Sequence, residues 1–189
     1  MIDAFSYLSV LLSIIIGLGM SHLLGAMVRV IHNRSGTALY LPSIVWAANL
    51  FLLLTLVWWA DFNLTRHQHW TFPIFLCTLS IPAAVYAASG LILPTGEAQT
   101  QTNMRSAYEE NRRWFFSLIA FAIALSFVQT YLLDGRIAFD ADAQLKAAIL
   151  LVTLVPIFTK ADIVQRTVAA INLAWVLAYI TLLFYNLRY

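Results

Sequence analysis

Between Lys146 and Lys160 the chain reads AAILLVTLVPIFT, residues 147–159. At about 13 residues the stretch lies between two readings: a short transmembrane span, or a re-entrant segment that enters and leaves a bilayer on one side. The flanking lysines can lay their methylene stems along apolar surface while the ammonium groups reach water, which extends a marginal span. The choice decides the fold, because it sets the side of the membrane on which every later residue falls.

The rest of the chain leaves less latitude. Residues 4–28, 39–60, 70–93, 114–133 and 167–187 carry no formal charge. Each run reaches the roughly 20 residues that cross a hydrocarbon core of about 30 Å. Composition agrees, with 61% hydrophobic and 11% charged residues, where a soluble domain carries about 25% charged. These features predict an all-α polytopic membrane protein. Its single transmembrane domain is a six-helix bundle with spans near 4–28, 39–60, 70–93, 114–133, 144–160 and 167–187. Five spans plus a re-entrant segment are the alternative.

Basic residues arbitrate. With six spans, Arg29, Arg34, Arg105, Arg112, Arg113, Lys160 and Arg166 share one side, and Arg66, Arg136, Lys146 and Arg188 share the other. Seven against four is a usable positive-inside bias; a re-entrant segment reduces it to six against five. Six spans are therefore expected, in a plasma or inner membrane, with both termini outside or periplasmic. The first run follows Asp3, and no Lys or Arg precedes Arg29, unlike a cleavable signal peptide.

Several functions are disfavoured. A net charge of +2 with no basic cluster outside the membrane offers nothing to nucleic acid. No Asp or Glu lies within a predicted span, which argues against a carboxylate-driven intramembrane protease or proton pump. The chain has no phosphate loop, dinucleotide fingerprint or zinc-protease motif, and its single cysteine, Cys77, reads as a small apolar residue. An enzyme is not the expectation, and no cofactor is required.

The most regular pattern is Ser9, Ser13, Gly17, Ser21 and Gly25, each four residues apart. Such a track lets a second helix backbone approach closely and predicts a tight contact, within the bundle or between protomers. His22 lies beside it, near Arg29 in helical angle. An ionisable residue within a span is a functional candidate. Depth counting brings His22, Asn49, Ser89 and Asn172 to a similar level, as one intramembrane polar layer. In the loop ADFNLTRHQHWTF, residues 60–72, Asp61, His67 and His69 have the side-chain types of a zinc or copper site. Residues 94–113 read as a loop that becomes a solvated helical extension, with Glu109 placed to pair with Arg113.

These readings rank three functions. The first is a non-enzymatic small subunit or accessory component of a membrane complex, whose partners are the lipid bilayer and other subunits or itself. The second is a small-solute or proton-coupled transporter or channel with its polar site near His22. The third is a haem- or metal-binding membrane redox protein.

Overall fold

The structure is a computed structural model that describes residues 4–32, 37–67, 69–93, 102–136 and 140–183. Six helices account for nearly all of them: α1 (Ala4–His32), α2 (Leu41–Asp61), α3 (Phe72–Ile92), α4 (Met104–Asp134), α5 (Ala141–Phe158) and α6 (Asp162–Leu183). All six are long and apolar enough to cross a membrane. Every helix also turns bulky apolar side chains outward, among them Ile14, Leu76, Phe121, Leu151 and Ile171. A lipid surround accommodates them. The protein is an all-α, six-span integral membrane protein.

The ambiguous stretch is resolved by α5, a continuous helix of 18 residues, or about 27 Å at 1.5 Å per residue. Its two ends lie at opposite ends of the bundle. Asp142 receives a hydrogen bond from Tyr179 near the end of α6, and Thr159 receives one from Arg112 near the start of α4. The segment therefore crosses and does not turn back. Local chemistry fixes the helix boundaries. Proline occupies the first turn of α2 and of α3, where its missing N–H costs nothing. Asn103 and Asp140 side chains accept the Arg105 and Ala143 amides at the starts of α4 and α5. Gly135, at φ 69°, closes α4 in the left-handed conformation that a side chain would disfavour. Pro82 and Pro156 are buried within α3 and α5 without ending either helix.

Helices α2, α3, α4, α5 and α6 each pack on the next in chain order, and α6 returns to α2, so that five helices close a ring. Helix α1 lies outside it, against α2 and α3. A two-residue parallel pairing, Thr37 with Thr102 and Ala38 with Asn103, ties the α1–α2 and α3–α4 connections together.

One end of the ring is rich in arginine, the other in aspartate. At the arginine-rich end, α4 starts ten residues before the charge-free run at Trp114. The extension is helical as expected, but it is not merely solvated. Met104, Tyr108 and Arg112, at four-residue spacing, are buried with Phe115 and Phe116. Tyr108 donates to Gln165 at 2.6 Å, while Arg112 and Gln165 both donate to the Thr159 carbonyl that ends α5. A guanidinium there opposes the negative end of the helix dipole. Glu109 pairs at 2.8 Å with Arg105, one turn before it, and not with the expected Arg113 one turn after it. Tyr40, just before α2, donates to Asp162 at 2.8 Å; burial, together with that bond and the aspartate charge, raises its phenol above the ordinary range.

The small-residue track makes no close contact at Gly17 within the bundle, the first of the two settings expected of it. Ser13, Gly17 and Ser21 are exposed, Ser9 and Gly25 are half-buried, and among the described residues nothing lies within 4 Å of a β-carbon built on Gly17. The buried face of α1 is Leu8, Leu12, Ile16, Leu23 and Ala26, roughly 150° round the helix at about 100° per residue. Bulky side chains fill the groove between α2 and α3 and gain more dispersion contact there than hydroxyls and hydrogens would. The close approach occurs instead at Gly19, where an added β-carbon would stand 2.9 Å from Leu54 Cδ1. Gly19→Leu is expected to lower stability by about 1–3 kcal/mol through overpacking. Gly17→Leu should change it by no more than about 0.5 kcal/mol. Unfolding in mixed micelles by titration with sodium dodecyl sulphate reads both.

Candidate functional site

The ring encloses a cavity of about 200 Å³. Its wall is mainly aliphatic, from residues such as Leu53, Leu56, Ile81, Val85, Ile119 and Val176, and polar groups interrupt it in two places. Towards the aspartate-rich end stand Asp61 at the last position of α2, Thr78 on α3, Gln129 on α4, Lys146 on α5 and Tyr179 on α6. Deeper in the ring stand Asn49, Asn172 and Trp46. Asp61 and Asn49 are 12 residues apart, about 18 Å along the helix axis.

Most of these groups are held by protein. Gln129 Nε2 donates to Thr78 Oγ1 at 3.0 Å, and Ser126 Oγ donates to the Ile123 carbonyl at 2.7 Å. Asn172 Nδ2 donates to the Val168 carbonyl at 3.1 Å. Lys146 Nζ sits 2.6 Å from Asp142, which also accepts from Tyr179. Two buried oxygens of the wall have no hydrogen-bond partner among the described residues: Asp61 Oδ2 and Asn49 Oδ1. Asn49 is 3% exposed. Unmet polar groups at such positions are costly, so the cavity wall is stabilised by whatever satisfies them.

A second hollow, of about 360 Å³, lies between the first half of α1 and the end of α2. Phe5, Trp58, Trp59 and Phe62 line it with Ser9 and Ser13. Asp61 belongs to both walls.

The residues singled out in the sequence are divided by this arrangement. Asn49 and Asn172 share the cavity wall. Ser89 is fully buried, and its hydroxyl is satisfied by the Tyr86 carbonyl at 2.7 Å. His22 is half-buried and Arg29 exposed on α1, outside the ring, and neither lines the cavity. The four-residue layer is therefore not assembled: depth placed its members level, but α1 is not a wall of the ring. Asp61, His67 and His69 do not form a ligand set either. Among the described residues no three His, Cys, Asp or Glu side chains converge on one point. His67 Nε2 is instead in hydrogen-bond contact with the Leu133 carbonyl at 3.0 Å, His69 is exposed, and Asp61 belongs to the cavity.

Sequence reasoning missed Trp46, Gln129, Lys146 and Tyr179 as parts of one site. Gln129 and Trp46 lie inside charge-free runs, where the sequence does not show which side chains face the ring interior. Lys146 marked a span boundary. Comparison with protein families, curated proteins and solved structures yields no match to this chain.

Proposed function

We propose that this integral membrane protein is a small-solute carrier or channel whose binding site is the cavity within the α2–α6 ring. The observation that supports the reading is the cavity itself, an apolar chamber with unsatisfied polar atoms at two levels. Ligand sites have this make-up: mostly apolar walls and a few placed polar groups. An engineered apolar cavity of about 150 Å³ holds benzene, so a chamber of 200 Å³ suits a solute with one ring or a short chain. The arginine-rich end faces the cytoplasm in this reading, and the cavity mouth near Asp61 and Lys146 faces outward. The test is equilibrium dialysis of radiolabelled 2-phenylethanol against the protein in nanodiscs, with empty nanodiscs subtracted. Saturable uptake of one equivalent supports the reading; uptake equal to that of empty discs contradicts it.

A second reading, assembly with a partner through α1, is favoured by one observation. The Ser13, Gly17 and Ser21 face is open along the outside of the protomer, as a close helix–helix contact requires. Gly17→Leu then lowers the particle mass in native nanodiscs without lowering stability; an unchanged mass speaks against assembly through this face.

A further inference from the structure

The polar groups of the cavity are unequal in kind. Gln129, Ser126 and Asn172 spend donors on protein acceptors, and the Lys146 ammonium is engaged by Asp142. Among the fully occluded side-chain oxygens of the wall, two have no partner among the described residues, the Asp61 carboxylate Oδ2 and the Asn49 amide Oδ1. Asp61 itself is half-buried in this largely apolar wall, with no side-chain hydrogen bond or ion pair among the described residues, and a carboxylate so placed is expensive to keep charged. An ammonium ligand supplies the donor and the opposite charge together.

The approach to Asp61 has matching chemistry. The hollow between α1 and α2 presents the rings of Phe5, Trp58, Trp59 and Phe62, and aromatic faces attract organic cations. Asp61 is common to the walls of the hollow and the cavity, so these rings and the carboxylate belong to one region of the fold. Within the cavity, Trp175 and the aliphatic wall receive an apolar body.

Resting on the cavity as the binding site, we infer that its ligand is a small organic cation, an ammonium carried on an apolar or aromatic body, with Asp61 as its counter-ion. The lysine in the same wall does not cancel this preference, because its charge is already balanced by Asp142.

The experiment compares three probes of like size and different charge in the same nanodisc dialysis: 2-phenylethylammonium, 2-phenylethanol and phenylacetate. The wild-type protein is expected to bind the cation at least tenfold more tightly than the alcohol, with phenylacetate no higher than in empty discs. Asp61→Asn should weaken the cation at least tenfold and leave the alcohol unchanged, which also shows that the variant is folded. Asp61→Glu should keep the cation preference. Equal affinity for cation and alcohol in the wild type, or a preference that survives Asp61→Asn, overturns the inference while the cavity remains the site. If no probe exceeds empty discs, the site and the inference fall together.

Discussion

Replacing Trp46 by alanine is expected to cost about 3–5 kcal/mol, the range for deleting a large buried aromatic. Trp46 is 1% exposed. Its ring packs edge-on against Phe115 and Phe116, with both centroids 5.2 Å away, and those two rings are themselves 4.9 Å apart. Tyr108 adds a further edge-on contact to Phe116, and Tyr40 one to Tyr108. The cluster joins the start of α2 to the lower half of α4 across the floor of the ring. Aromatic pairs of this geometry contribute about 0.5–1.5 kcal/mol beyond their area, and the alanine leaves a void that a helix ring closes poorly. Trp114 is the control: it is 72% exposed, and its alanine variant should lose no more than about 0.5 kcal/mol. Unfolding by titration with sodium dodecyl sulphate, followed by far-ultraviolet circular dichroism, measures both. Equal small losses would remove the aromatic floor from the account.

Ser126→Phe is the second large effect. Ser126 is half-buried on α4, faces the cavity and bonds only its own helix, at the Ile123 carbonyl. Its replacement breaks no bond between helices. A phenyl ring placed there takes up a space in which a benzene-sized guest would sit. Binding of 2-phenylethanol should fall at least 100-fold, which is about 2.8 kcal/mol at 1.4 kcal/mol per decade, while stability falls by no more than overpacking costs, about 1–3 kcal/mol. Dialysis and the unfolding titration on the same preparation separate the two. Unchanged binding in a folded variant would place the solute elsewhere.

The six spans could be read from the chain because lipid imposes a simple test on sequence: a run long enough and free of charge. Even the short segment before Lys160 followed from counting arginines and lysines. What depth and composition cannot give is position round the ring. His22 and Asn49 lie at similar depth, yet α1 is outside the ring and α2 is a wall of it. The same limit explains why the small-residue track does not face the bundle. Leu8, Leu12, Ile16, Leu23 and Ala26 also form a stripe at helical spacing, and in a helix apolar on all sides periodicity does not say which stripe faces protein. Asp61 was grouped with His67 and His69 because all three fall in one loop of the sequence. Its place at the last position of α2 puts it on the cavity wall instead. The buried Met104, Tyr108 and Arg112 face did have a signal, their four-residue spacing leading to Phe115 and Phe116, but the charges between them read as a solvated helix.

The account stands on a cavity that is reached from water in the membrane-embedded protein. In a Cys77→Ala background, Ser126→Cys places a thiol on the cavity wall and Ser89→Cys places one in the fully buried core beside it. The measurement is the rate at which a small water-borne cationic methanethiosulphonate modifies each in intact vesicles. The account predicts rapid labelling of Ser126→Cys, slowed by 2-phenylethylammonium, and none of Ser89→Cys. Labelling of Ser126→Cys as slow as that of Ser89→Cys would contradict it.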